Sequence, residues 1–299
     1  MASRQCLAFR WRPWLVGLAL ALSGPTAPVA AENVPPHAAG LSERLIEVAL
    51  SDGAVQQGVL STRIGAPAPT HLVLLLPGAP SVVRPVVEGE SMVRSSLTGN
   101  FLIRARRHLA GQSVATLIVD CRSDQGSECS GAYQSSAQRS LDVARLIEAA
   151  RQLLPSVTDV WLVGTSLGTI SSAFMPIHAP AGAFAGTIHT ASIVDPRRYR
   201  STLQAMIDFD YRRIDIPQAF VHHVDDPCEA TTFRSAQRIG AAAGVPLIAV
   251  TGAGQRRGDP CQANTEHGFI GIERSVMAEI RKMVLEGVGV SRRLDLTPD

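Results

Sequence analysis

Short apolar runs alternate with longer stretches of mixed character from about residue 44 to residue 286, and the hydrophobic period changes between them. Residues 71–76 are almost wholly apolar, and 113–120, 160–163, 186–192, 218–224 and 246–250 are of the same type. Continuous runs of this length suit strands buried on both faces of a parallel sheet. Residues 97–110, 134–154 and 231–243 lie between them and predict helices. In 134–154, Leu141, Ala144, Arg145, Ile147, Glu148 and Arg151 give an apolar stripe with charges opposite, and Pro155 ends the segment. Residues 44–50 and 55–64 predict a strand pair turned by Ser51-Asp52-Gly53. A loop is expected over 252–266, and a last helix from His267 to about Glu286. The Arg- and Tyr-rich excursion at 195–215 is too brief for a large lid domain. The expectation is an α/β chain with a mainly parallel central sheet, helices on both faces, and reactive residues at the C-terminal strand ends.

The first 31 residues break this pattern. Arg4, Arg10 and Arg12 precede a short apolar core at 14–22, and Gly24, Pro25 and Pro28 follow it. Val29-Ala30-Ala31 then offers small residues for cleavage after Ala31, as in a secretory signal peptide. The apolar run is too short to span a bilayer, and no cysteine follows it as a lipoprotein signal requires. The expected domains are a signal over 1–31 and one α/β domain over 32–299, in a periplasmic or secreted protein with no stable membrane insertion after signal removal.

Composition adds limits. The chain has 299 residues, 45% hydrophobic and 18% charged, which is ordinary for a globular protein. Its net charge of +2 falls to about −1 without the three leader arginines. No basic run is interleaved with aromatics, so nucleic acid is not an expected partner. Of five cysteines, Cys6 leaves with the signal. Cys121, Cys129, Cys228 and Cys261 remain, and an even number in an exported protein points to two disulfides with three possible pairings. Cys121–Cys129 with Cys228–Cys261 is the favoured set; four buried free thiols are the other reading.

The chemistry centres on Gly164-Thr165-Ser166-Leu167-Gly168, a G-x-S-x-G sequence between an expected strand and an expected helix. A serine attacks only if its Oγ stands clear of the sheet on a tight turn, open to a base. Glycines flank that turn because a Cβ there collides with the neighbouring strand or helix. The helix start also aims the Leu167 amide at a developing oxyanion.

The chain resembles the α/β-hydrolase superfamily from about His71 to Glu286. The resemblance rests on Gly164–Gly168, on Leu76-Pro77-Gly78-Ala79 after an early strand, on Asp225-Asp226 after a late strand, and on Glu266-His267-Gly268-Phe269 near the end. It implies the α/β-hydrolase fold, hydrolysis of a small-molecule ester or acyl substrate, and no cofactor or metal. It also implies the roles: Ser166 as nucleophile, His267 as base and Asp226 as acid, in the order Ser…Asp…His. Asp225 and Asp195 are alternative acids. The Leu167 amide is one oxyanion donor and that of Ala79 the second, although this chain lacks the His-Gly form of the family's oxyanion loop. Cys228 and Cys261 lie two and six residues from Asp226 and His267, so an Asp226–His267 hydrogen bond brings these cysteines close. Arg122 and Asp124, on the loop after a central strand, are expected to pair with each other rather than line the pocket.

Rival readings remain at this point. Cleavage of amides or peptides uses the same residues, and a binding protein that kept the fold without catalysis is a third possibility. His222, His223, Asp225, Asp226 and Cys228 hold zinc-type ligands in a short span, but adjacent strand residues point to opposite faces.

Overall fold

The computed structural model describes residues 34–199 and 203–299. The expected signal peptide and Cys6 lie outside the described residues.

A nine-stranded sheet forms the centre, in the order β1-β2-β6-β3-β7-β8-β9-β10-β11. Its strands are β1 (Leu41–Ala49), β2 (Val55–Arg63), β3 (His71–Leu76), β6 (Val114–Val119), β7 (Asp159–Ser166), β8 (Gly186–Ser192), β9 (Gln218–His223), β10 (Leu247–Thr251) and β11 (Arg292–Asp295). β2 pairs antiparallel with both β1 and β6, and the other pairs are parallel. β4 (Val86–Glu88) and β5 (Ser91–Arg94) make a separate hairpin.

Strand alternation decides which helix covers which face. Val73 and Leu75 of β3, Val163 of β7 and Val221 of β9 pack with Phe101, Leu102, Val276, Met277 and Ile280. They bring α1 (Phe101–Leu109) and α6 (Glu273–Glu286) onto one face. Leu72, Leu74 and Leu162 point the other way, against Val143, Leu146 and Ile147 of α3 (Ala137–Leu153). Phe220 and Leu247 continue that face toward α4 (Thr169–His178) and α5 (Phe233–Ala243). Arg106 of α1 forks onto Glu43 of β1 through two hydrogen bonds of 2.8 Å, and both side chains of this ion pair are fully buried.

Three departures from the sequence expectation have local causes. The segment expected to be one helix over 134–154 is divided, with a four-residue α2 (Gly131–Gln134) ahead of α3. Ser136 is extended there, and its Oγ accepts the Arg139 amide as an N-cap. The helix expected from His267 onward is also interrupted: Glu266–Gly268 is a single 3₁₀ turn, and α6 begins at Glu273. Phe269 takes a left-handed φ of 56°, and the Gly254 amide donates to Ile270 O at 2.6 Å, so the chain around His267 is knitted to the preceding loop. Lastly, β11 extends the sheet beyond β10, where no strand was expected, so His267 lies between the last two strands rather than beyond the last.

Candidate active site

The sheet reverses its winding at β3. From β3 the chain goes through α1 to β6 on one side, then returns through α3 to β7 on the other. In such sheets reactive residues collect at the C-terminal strand ends beside the reversal, and Gly78 and Ser166 stand at those ends of β3 and β7. Ser166 is the last residue of β7 and has a φ of 50°. A non-glycine residue in the left-handed region stores strain, and it persists only where neighbours enforce it. They do so here. A Cβ on Gly164 comes within 2.5 Å of Ser172 Oγ, and one on Gly168 comes within 2.6 Å of Pro77 O and closer still to Leu76 O. Strand, turn and helix can therefore approach this closely only with glycine on both sides of the serine. Thr169 begins α4, and its Oγ1 donates to Ser166 O at 2.6 Å while accepting the Ile193 amide at 3.1 Å.

The loop after β3 faces the serine. A Cβ on Gly78 lies 3.0 Å from Ser166 Cβ. Ser81 closes the turn, its amide donating to Gly78 O and its hydroxyl to Pro77 O, both at 2.8 Å. Neither the Ala79 amide nor the Leu167 amide donates to any other group among the described residues.

Asp226 and His267 are brought together. Asp226 follows β9, and His267 sits on the 3₁₀ turn after β10. Nδ1 of His267 lies 3.1 Å from Asp226 Oδ2 and 3.3 Å from Oδ1, with the carboxylate fully buried and the imidazole 5% exposed. The carboxylate also accepts the Cys228 amide at 2.9 Å and the Thr231 hydroxyl at 2.8 Å. Burial alone pushes the Asp226 carboxyl up, but hydrogen bonds from His267, Cys228 and Thr231 and the charge of His267 hold it below its ordinary value. It is thus an anion at neutral pH. Arg104 of α1 anchors the turn from outside, donating to Gly268 O at 2.7 Å and pairing with Glu273 at 2.8 Å. β7 and β9 are separated in the sheet by β8 alone.

The alternative acids have other surroundings. Asp225 is exposed, and its amide donates to His223 Nδ1 at 3.0 Å. Asp195 accepts the hydroxyls of Thr232 and Ser235, the latter at 2.7 Å, and so sits at the N-terminus of α5. His222 and His223 diverge: His222 Nε2 accepts the Ser192 amide at 2.8 Å, while His223 Nε2 donates to Gly252 O at 2.7 Å. Burial pushes the His222 imidazole down to about 4 and that of His189 to about 3, so both are neutral in ordinary buffers. Arg122 pairs with Asp124 at 2.6 Å and also with Asp52 and Asp142. The sulfurs of Cys121 and Cys129 are 1.97 Å apart and those of Cys228 and Cys261 2.00 Å apart, the favoured pairing.

Thr231 has no counterpart in the sequence reading. Its hydroxyl touches both Asp226 and His267, but a threonine five residues after an acid, followed by a second threonine that caps α5, carries no distinguishing pattern.

Comparison with solved structures bears on the architecture. A protein of unknown function from Agrobacterium tumefaciens, provisionally classed as an α/β-hydrolase, matches over 81% of this chain and 94% of its own, with a TM-score of 0.53 at 14% identity. The fold is that of the α/β-hydrolases. An esterase domain from Rhodothermus marinus matches over 80% of this chain and 98% of its own, with a TM-score of 0.50 at 14% identity. An acylaminoacyl peptidase from Pyrococcus horikoshii gives a TM-score of 0.51 at 11% identity, over 83% of this chain but 42% of that one. No protein-family model matches the sequence, and neither does any curated protein. No helix among the described residues is long and apolar enough to cross a membrane.

Proposed function

We propose that this protein is an exported serine hydrolase, periplasmic or secreted, that cleaves carboxylic esters through an acyl-enzyme on Ser166. The observation that carries the reading is the buried Asp226 carboxylate bonded to His267 Nδ1, at the same C-terminal end of the strands as a serine held at positive φ on a glycine-flanked turn. With Nδ1 engaged by the carboxylate, Nε2 of His267 is the nitrogen left to act as base.

The steps follow from those positions. Ser166 Oγ attacks the ester carbonyl carbon as its proton passes to His267 Nε2. The carbonyl oxygen becomes an oxyanion held by the Leu167 and Ala79 amides, which are not committed elsewhere. Collapse expels the alkoxide, which takes the proton from His267 and leaves as an alcohol. Water, giving its proton to His267, then attacks the acyl carbon, and collapse breaks the bond to Ser166 Oγ, which takes that proton back as the carboxylic acid leaves. Asp226 stabilises the imidazolium in both halves. No step calls on a cofactor or metal.

Amide or peptide bonds are the second reading, because the same residues act on a poorer leaving group. Labelling the mature protein with a fluorophosphonate, read by intact mass, tests the nucleophile. One adduct on the wild type and none on Ser166→Ala is expected. Matched panels of acyl esters and acyl amides then separate the two substrate classes. An unlabelled, disulfide-intact wild type sinks the hydrolase reading in favour of a binding protein with this fold.

A further inference from the structure

The triad reading leaves Thr231 without a role, yet its side chain lies between the two residues whose alignment matters most. Thr231 is fully buried in the turn that follows β9, and its amide donates to Cys228 O at 3.1 Å. Its hydroxyl is 2.8 Å from Asp226 Oδ2, 3.1 Å from His267 Nδ1 and 3.4 Å from Cys228 O. A hydroxyl has one proton, and the nearest acceptor is the carboxylate. The Thr231 oxygen therefore turns a lone pair toward the Nδ1 proton of His267. That proton faces two acceptors at the same distance, Asp226 Oδ2 and Thr231 Oγ1, both at 3.1 Å.

The other carboxylate oxygen has its own donor, the Cys228 amide at 2.9 Å on Oδ1. With one donor on each oxygen the carboxylate plane is fixed. Without the Thr231 hydroxyl, the Oδ2 edge is held by His267 alone.

We propose that Thr231 is a positioning residue of the hydrolytic site: its hydroxyl fixes the Asp226 carboxylate and shares the His267 Nδ1 proton, setting both the aim of the imidazole and the strength with which the carboxylate supports it. This inference rests on the Ser166–His267–Asp226 reading. Its sign follows from the hydrogen bonds. A donor on Oδ2 spreads the carboxylate charge, so removing it leaves a more basic carboxylate and returns the whole Nδ1 proton to it. A charge-assisted N–H···O⁻ bond is about twice as strong as a neutral one. The gain at Asp226 therefore outweighs the lost contact with the hydroxyl, and the protonated imidazole becomes more stable while its orientation loosens.

Other ionisable groups surround the pair. His222 is buried and neutral and feels the charges of both members, Glu266 beside His267 is paired with Arg256 at 2.7 Å, and Arg104 holds the backbone of the turn. Asp225 is exposed and Asp195 acts on His222. All keep their partners when only the hydroxyl at 231 is changed.

Thr231→Val keeps the shape and loses the hydroxyl, whereas Thr231→Ser keeps the hydroxyl and loses the methyl. In Thr231→Val, kcat on an activated ester is expected to fall about tenfold with KM within about twofold, and the acidic limb of the pH–rate profile to rise by about half a pH unit. Thr231→Ser should restore both. The downfield proton resonance of His267 Nδ1 should shift in the Val variant and not in the Ser variant, a readout that needs no turnover. If the Val variant does not fold, Thr231→Ala takes its place in the comparison. The reverse ranking, with Val like wild type and Ser impaired, shows a packing role and overturns the inference. So does an unmoved limb and resonance in Val or Ala, even where Ser166-dependent hydrolysis stands. A wild type with no Ser166-dependent hydrolysis overturns the triad reading itself, and the inference with it.

Discussion

Under the proposed mechanism, Asp226→Asn is expected to lower kcat on an activated ester by about 10³–10⁴-fold and to leave KM within a small factor, because the loss is confined to the step in which His267 becomes charged. The buried carboxylate accepts from His267, Cys228 and Thr231 at once. An amide of the same shape keeps one acceptor oxygen and brings two protons into a pocket of donors, so it cannot satisfy all three. It also favours the tautomer in which Nδ1 is bare and Nε2 carries the proton, so that Nε2 cannot accept one from a nucleophile. Asp225→Asn, on an exposed side chain, should stay within about twofold of wild type. Steady-state kinetics of the two variants decide the matter, and near-wild-type turnover in Asp226→Asn removes Asp226 as the acid.

The second large effect is on stability. Glu43 takes two hydrogen bonds from Arg106, one from Ser61 Oγ at 2.6 Å and one from the Met92 amide at 2.8 Å. Glu43→Ala leaves a fully buried guanidinium, a hydroxyl and an amide without their acceptor, which costs about 3–5 kcal/mol. A urea titration at neutral pH should show the midpoint fall with little change in slope. The pH dependence has a definite sign. Burial pushes the Glu43 carboxyl up, but the Arg106 hydrogen bonds and charge, with Ser61 and Met92, leave it below its ordinary value. The stabilisation from that shift is therefore complete above the unfolded glutamate range of about 4.3, and it is lost as acid titrates the folded carboxylate. The gap between variant and wild type should narrow as pH falls through that window. A gap that stays constant there removes Glu43 ionisation as its source.

What could be read from the sequence was what local sterics dictate. Gly164 must be glycine because of Gly168 and Ser172 a few residues on, and Gly168 because of the Leu76 and Pro77 carbonyls at the end of the neighbouring strand. Yet the spacing of both about Ser166 is written in five consecutive residues, so the elbow stood out before any fold was known. The buried strands were equally plain, because residues such as Leu72–Leu76 are apolar on both faces of the sheet. The Asp226–His267 pairing was implied by the resemblance, whose Ser…Asp…His order Asp195 and Asp225 satisfy as well, and the two cysteines beside it pointed the same way. β11 was illegible because Arg-Arg-Leu-Asp carries three charges in four residues; it sits at the sheet edge with its side chains half-buried or exposed. The break before α6 depends on Phe269 in a left-handed conformation, which no local pattern announces. Thr231 was hidden for a different reason. Its contact with His267 is made across 36 residues, and only the folded chain brings the two together.

The Cys228–Cys261 bond joins positions 33 residues apart, and α5 and β10 lie in the ring it closes. Asp226 is two residues outside one end of that ring and His267 six residues outside the other. Residues 255–262 are exposed, and Arg256 and Arg257 lie on the ring side of Cys261. A trypsin-type cut after either arginine leaves Asp226 and His267 on different polypeptides that are still joined covalently through the Cys228–Cys261 bond. The nicked protein should keep its intact mass on a non-reducing gel and continue to turn over. A dithiol added afterwards separates the fragments' covalent link, and turnover should then decay. Damage to this loop is thus tolerated where disulfides persist and becomes inactivating only where they do not.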